Sequence, residues 1–170
     1  MDTKEIVKVV APCGKMCDTC ANYYNSTLVQ SARRMVQFLD GYEEYIAKEK
    51  GYSGIRDYQT FEKVLKEFAK GKCHGCRATD DCTVKQHPKC VIRKCAEHRD
   101  IEFCTQCSCF PCNVNDSVSE NVTEDWKNKS TELSKEGVTA YYYDNIHKSQ
   151  YLGYKENNNE HNTLYNGRRE

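Results

Sequence analysis

Nine of the twelve cysteines in this chain lie within one stretch of 40 residues, CHGCRATDDCTVKQHPKCVIRKCAEHRDIEFCTQCSCFPC (73–112). The other three form a second group closer to the N-terminus, CGKMCDTC (13–20). In a reducing compartment, cysteines crowded in this way favour metal ligation over isolated buried or reactive thiols. The stretch 73–112 has few large apolar side chains, so we predict that bound metal, and not a core of its own, orders it.

The overall composition narrows the class of protein. The 170 residues carry 25 Lys and Arg against 25 Asp and Glu, and 38% are apolar. A chain of this length usually forms one domain. Because the sequence contains neither an apolar run long enough for a bilayer nor a secretory signal, we expect a cytoplasmic protein with no membrane partner. The zero formal charge argues against a nucleic-acid partner, which needs a basic surplus on one face.

Apolar residues recur at helical spacing on both sides of the cysteine-rich stretch. Gly71 is expected to end the second helix in a left-handed conformation, and one of the polar residues at 25–27 is expected to cap the first. The β-branched run at 6–11 instead predicts a short strand or an arm packed on the core. The predicted helices cover 28–50, 57–70, 91–98, 123–136 and 138–150.

We therefore predict a mainly α-helical, small and irregular metal-stabilised domain, with helices packed around cysteine-rich loops. A single domain is expected to span 1–154, followed by a disordered polar tail at 155–170. Its predicted parts are an N-terminal arm with the cysteine triad (1–27), a helical pair (28–70), the cysteine-rich metal segment (71–112) and the C-terminal helices (113–154).

The triad Cys13, Cys17 and Cys20 has the spacing C-x3-C-x2-C, which can place three sulfurs around one centre. The same spacing occurs in the cluster loop of radical S-adenosylmethionine enzymes. That reading is disfavoured, because Thr19 stands where that loop has an aromatic residue and no alternation of strands and helices follows. The preferred interpretation is that the triad supplies three of the four ligands of a closed metal site.

The pair Cys73 and Cys76 forms a C-x2-C knuckle in which Gly75 lets the backbone amides turn toward sulfur. A redox dithiol is the alternative, but such dithiols follow a strand and open a helix, whereas this pair follows a helix. The motif recurs at 104–112. The full set of candidate metal ligands is Cys13, Cys17, Cys20, Cys73, Cys76, Cys82, Cys90, Cys95, Cys104, Cys107 and Cys112.

Cys82 and Cys109 have the least regular spacing, and for each a small buried side chain is an equal alternative to a ligand. The three histidines near these motifs could replace a cysteine in a Cys3His site, although a solvent-facing or hydrogen-bonded imidazole is the preferred interpretation. These histidines are His74, His87 and His98.

Together, the motifs C-G-x-x-C-x-x-C (from Cys13), C-x-G-C-R (from Cys73), C-x-I-R-x-C-A (from Cys90) and I-x-F-C-x-x-C (from Ile101) resemble one family. This is the cysteine-rich bacterial and archaeal family of unknown function DUF3795, similar over about residues 11–150. The resemblance implies metal binding but no established activity. It also implies ten recurring cysteines, which are the candidate ligands above without Cys82, and Cys109 departs from the pattern.

The identity of the metal stays open at this level. Zinc suits paired C-x2-C knuckles and needs no redox partner. An iron–sulfur cluster suits the triad spacing, although Pro111 precedes the last cysteine where bacterial ferredoxins place a proline after it. Zinc is preferred, an iron–sulfur cluster is the alternative, and two centres could differ.

Three functions follow from these cofactors. A zinc-stabilised binding or adaptor module, with 28–50 and 123–136 as its protein-binding face, is preferred over an enzyme. An iron–sulfur redox protein or enzyme using the Cys13 triad is the alternative, and thiolate metal storage or sensing is the third. Three filled zinc sites would bring the net charge to about -6, which favours a basic partner surface.

Overall fold

The computed structural model describes residues 1–49, 57–78, 90–113 and 120–152. These ranges contain helices and two isolated β-bridges, and they contain no extended strand. The mainly α-helical class is thus confirmed. The helices are α1 (Thr3–Val9), α2 (Thr27–Phe38), α3 (Tyr42–Lys48), α4 (Tyr58–Lys70), α5 (Val91–His98), α6 (Glu120–Glu136) and α7 (Val138–Asn145), with a 3-10 turn at Cys104–Gln106.

The N-terminal segment is a helix, so the predicted short strand is wrong, although the segment does pack on the core as the alternative predicted. Asp2 accepts a hydrogen bond from the Glu5 amide, and Glu5 accepts one from the Asp2 amide, which together form a capping box. Ile6 and Val9 then share one buried face. The β-branched side chains pack well on this face, and their low helix propensity is overridden by the cap and the burial.

The predicted helix 28–50 is divided into α2 and α3. Ser26 caps α2 by accepting a hydrogen bond from the Val29 amide at 3.1 Å, as predicted for one of the residues at 25–27. The division lies at Gly41, whose φ of 81° is left-handed. Apolar spacing continues across this break, which is why periodicity alone did not reveal it.

Helix α4 packs along α2 and ends at Gly71, whose φ of 46° confirms the predicted left-handed C-cap. Arg33 of α2 fixes this junction. Its guanidinium donates to the carbonyl oxygens of Ala69 at 2.9 Å and Tyr24 at 2.9 Å. These bonds satisfy a carbonyl that the end of α4 would otherwise leave unpaired.

The remaining helices follow the predictions with small changes at their ends. The helix predicted at 91–98 is α5, with the same bounds. The helix predicted at 123–136 begins three residues earlier, at Glu120, and the one predicted at 138–150 ends at Asn145. The predicted tail at 155–170 lies outside the described residues.

Two buried clusters hold these helices together. The larger joins α1, the loop after it, α6 and α7 through Ile6, Val10, Leu133 and Tyr141. The smaller joins Ile92 of α5, Cys104 and Trp126 of α6, with four partly buried side chains around them: Cys13, Cys90, Phe110 and Cys112. The second cluster therefore consists largely of cysteines. Among the described helices, none combines the length and apolar character needed to span a membrane.

Candidate metal centre

The loop 13–20 is held in place by main-chain hydrogen bonds to the end of α1. The Cys17 amide donates to the carbonyl of Val9 at 2.7 Å, and the Ala11 amide donates to that of Lys15 at 2.8 Å. On its other side, the Tyr141 hydroxyl donates to the Gly14 carbonyl at 2.7 Å. The first cysteine motif is thus attached to α1 and α7 by contacts of its main chain.

The knuckle 73–76 is attached to the same region. Its Cys73 amide donates to the Asn22 carbonyl, and the Tyr24 amide donates to the Cys73 carbonyl, both at 2.9 Å. Gly75 has a φ of 104°, and its amide donates to the Cys73 sulfur at 3.3 Å. An amide that points at sulfur stabilises a thiolate, as the sequence predicted for this glycine.

These two motifs bring thiols from distant parts of the chain into contact. The Cys17 thiol lies close enough to Cys76 to raise the pKa of that thiol, and burial raises it further. A Cβ atom added at Gly75 would lie 3.7 Å from the Cys17 sulfur, so Cys17 and the knuckle share one small volume. The structure therefore brings Cys17 next to the knuckle that carries Cys73 and Cys76.

The segment 90–112 reaches the other side of the same loop. The Cys104 amide donates to the Pro12 carbonyl at 3.1 Å, which places Cys104 beside Cys13. Burial raises the pKa of Cys104 to about 12, whereas the indole N–H of Trp126 acts in the opposite direction. Burial also raises the pKa of Cys13 to about 12, and the nearby sulfurs of Cys76 and Cys90 add to this effect.

A cavity of about 290 Å³ opens between α5, the 104–112 loop and α6. Its walls combine sulfur with apolar side chains, among them Ile92, Phe110 and Trp126. Arg99 lies at its edge, and its pKa is raised by a hydrogen bond to Cys95 and by the nearby cysteines of the loop. The cysteines that line the cavity are Cys95, Cys104, Cys107, Cys109 and Cys112.

Arg77 connects the knuckle to the rest of the fold, a role that the sequence did not predict. Its guanidinium donates to the carbonyls of Val7 at 2.7 Å, Val10 at 3.0 Å and Glu102 at 2.6 Å. The same group lies 5.0 Å above the centre of the Phe103 ring. The sequence feature that could have predicted this role is the position of Arg77 directly after Cys76. A cation there can face both the thiols and the carbonyl groups at the end of a helix.

The remaining candidates lie apart from these groups. The Cys20 sulfur accepts from the Asn22 amide at 3.5 Å and has the Tyr151 hydroxyl at 4.0 Å. Cys109 is exposed, so the alternative of a small buried side chain is wrong for it. His74 packs against Tyr24 with its ring exposed, as preferred for the histidines. Cys82 and His87 lie outside the described residues.

In the described ranges, every cysteine is a free thiol, and no three Cys, His, Asp or Glu side chains converge closely enough to hold an ion. The donor set nevertheless fits a thiophilic metal, since several thiols from separate segments meet in half-buried surroundings with an amide aimed at one of them. Cys73 and Cys76, with Cys17, are the residues that could hold an ion there. Ligation requires these side chains to turn toward a common point.

Comparisons with known proteins agree with the resemblance carried by the cysteine motifs. No curated protein and no solved structure matches the chain. The family described as a protein of unknown function, DUF3795, matches residues 9–117, which include both cysteine groups. The chain belongs to the DUF3795 family.

Proposed function

We propose that this protein binds zinc through its cysteines and uses the ion to hold its N-terminal loop, its knuckle and its α2–α4 pair in one binding module. The proposed ligands are Cys17, Cys73 and Cys76, with Cys13 or Cys20 as the fourth. The observation that carries the proposal is the close approach of the Cys17 and Cys76 thiols, which come from separate motifs.

The surroundings of this pair support a structural role. Cys17 and Cys73 are buried, and main-chain hydrogen bonds of both residues bring the two motifs close to each other. The Gly75 amide would stabilise the negative charge that Cys73 gains on losing its proton. A structural zinc ion contributes roughly 10–16 kcal/mol of apparent binding free energy at neutral pH, comparable to the whole stability of a typical domain.

The experiment is a measurement of metal content on the full chain, purified under reducing conditions. Cys73→Ser and Cys76→Ser should each lower the zinc content and raise the zinc dissociation constant by at least about tenfold, since each removes one of four ligands. Cys109→Ser is the matched control, because Cys109 is exposed and departs from the family pattern. Equal zinc affinity in all three variants would contradict the proposal.

The adaptor role predicted from the sequence stays a prediction. Helix α2 and helix α3 leave several large apolar side chains in solvent, most of all Phe38, which is 84% exposed, and Tyr45. A protein-binding face on the residues predicted as 28–50 would use these side chains.

A further inference from the structure

We propose that the cavity between α5, the 104–112 loop and α6 is a second and chemically different centre, which binds an iron–sulfur cluster through Cys95, Cys104, Cys107 and Cys112. This inference rests on the proposed function in that both require thiolate ligation of metal. It differs in the ligands, the cofactor and the position in the fold.

The dimensions of the cavity distinguish a cluster from a single ion. Tetrahedral zinc with Zn–S bonds of about 2.3 Å holds its sulfurs about 3.8 Å apart and leaves no space between them. Here the four proposed cysteine ligands line one cavity of about 290 Å³, which is much larger than the space at the centre of four zinc ligands. A cluster of several irons fills such a volume between its thiolates.

The walls have the chemistry of a cluster pocket. Apart from the sulfurs, the surface facing the cavity is almost entirely apolar and comes from side chains such as Ile92, Ala96 and Phe110. Such walls exclude water and competing oxygen ligands from the irons. As each Fe–S bond forms, the ligand thiol gives up its proton to solvent.

The side chain of Trp126 lies in the wall of the cavity and supports the proposal independently. Its side chain is 1% exposed and lines the cavity, with the Phe110 ring packed edge-on at 5.6 Å. Its indole N–H has no hydrogen-bond acceptor of normal geometry among the described residues, although it lies close enough to Cys104 to influence that thiol. A buried N–H without an acceptor is costly, and a cluster-bound thiolate or a bridging sulfide would satisfy it.

Arg99 balances the charge that a cluster would bring. It lies at the edge of the cavity close to Cys95, with Cys107 and Cys109 nearby. Four thiolates on an iron–sulfur cluster leave a net negative charge, and a guanidinium at the rim offsets it without entering the apolar interior.

The test is anaerobic reconstitution of the full chain, already loaded with zinc, using ferric iron, sulfide and a thiol reductant as the sources of iron, bridging sulfide and electrons. We expect absorption near 400 nm and bound iron with acid-labile sulfide. Cys107→Ser and Cys112→Ser should each lose at least half of that iron, whereas Cys109→Ser should retain it. Both substituted residues are half-buried, so helicity measured by circular dichroism serves as the check on folding.

Trp126→Phe keeps the ring in place and removes only the N–H. The variant should still bind iron and sulfide, but its cluster should be reduced at a more negative potential, because the N–H stabilises the electron added to the cluster. If Trp126 served only in packing, the cluster of Trp126→Phe would have the same reduction potential as that of the wild type.

Three results would overturn the cluster: no uptake of iron and sulfide by the wild-type chain, uptake unchanged in Cys107→Ser and Cys112→Ser, or a second zinc ion bound in this cavity. The zinc content lost in Cys73→Ser and Cys76→Ser is measured separately. Failure of the cluster and failure of the zinc site are therefore distinguishable.

Discussion

Gly71 occupies a position where no other side chain fits. A Cβ atom there would lie 2.6 Å from the Val29 Cγ1 atom and 2.9 Å from the Tyr24 Cα atom, in addition to the cost of the left-handed φ. We expect Gly71→Ala to lower the free energy of unfolding by about 2–4 kcal/mol, measured by urea denaturation. Gly41→Ala is the control, because Gly41 is also left-handed but has open space around it, and it should cost only about 1 kcal/mol. Equal losses would refute the steric argument.

Arg77 makes three carbonyl contacts that a lysine cannot reproduce. Lysine keeps the charge but lacks the planar group that reaches Val7, Val10 and Glu102 together. We expect Arg77→Lys to destabilise the protein by about 1.5–3 kcal/mol. Arg34→Lys, on an exposed position of α2, should change the denaturation midpoint very little. A stable Arg77→Lys protein would show that charge alone matters here.

At the scale of elements, the cap of α2 can be tested alone. Ser26 is fully buried and accepts from the Val29 amide, so Ser26→Ala leaves a helix-terminal amide without its partner. The expected cost is about 0.5–2 kcal/mol in the free energy of unfolding. Ser31→Ala, at an exposed interior position of the same helix, should be neutral or slightly stabilising. Equal changes in the free energy of unfolding for Ser26→Ala and Ser31→Ala would contradict the capping role of Ser26.

The sequence predicted elements wherever periodicity and a terminal signal agreed. Gly71 after 57–70 and Gly137 after 123–136 ended helices as expected, and 91–98 was predicted with its observed bounds. It failed at 6–11, where β-branched residues outweighed the Asp2 and Glu5 capping signal, and at Gly41, where the periodicity continued through a break.

For the candidate site, too, local sequence patterns predicted only part of the arrangement. Spacing identified the cysteines as a set, but it carried no information on which of them meet. The contact between Cys17 and Cys76, and the position of Trp126 beside Cys104, depend on tertiary packing of separate helices and loops. The guanidinium of Arg77 connects separate segments through contacts with carbonyls that no local sequence pattern identifies.

At the scale of the whole molecule, removal of metal should unfold residues 73–112. The smaller buried cluster has few apolar members besides its cysteines, so it offers little stabilisation without ligation. We expect a chelator under reducing conditions to make this segment the first site of limited proteolysis. Added zinc should restore protection at the knuckle, and iron with sulfide should restore it at 90–112. Cleavage that begins elsewhere, with 73–112 still protected, would contradict this.

Alkaline pH should separate the chelated protein from the zinc-loaded one. The pKa values of Cys13 and Cys104 are raised from 9.0 to about 12, so the folded chain holds these protons more tightly than the unfolded chain. The contribution of these protonated thiols to the free energy of unfolding is fully present below pH 9 and is lost as pH rises toward 12. With chelator, Cys104→Ser should show a shallower loss of unfolding free energy than wild type between these values. Zinc bound to an ionised Cys13 would remove that part of the loss, whereas the part from Cys104 would remain.

Because α1 packs against α7, the N-terminal helix can complete its packing only after α7 has been synthesised. During synthesis, Ile6 and Val9 leave the ribosome long before Tyr141 and Tyr142, their partners in the larger buried cluster. Every cysteine of the chain is made before that helix emerges. The thiols are thus exposed to solvent while the nascent chain is still open, and docking of α7 over α1 follows afterwards.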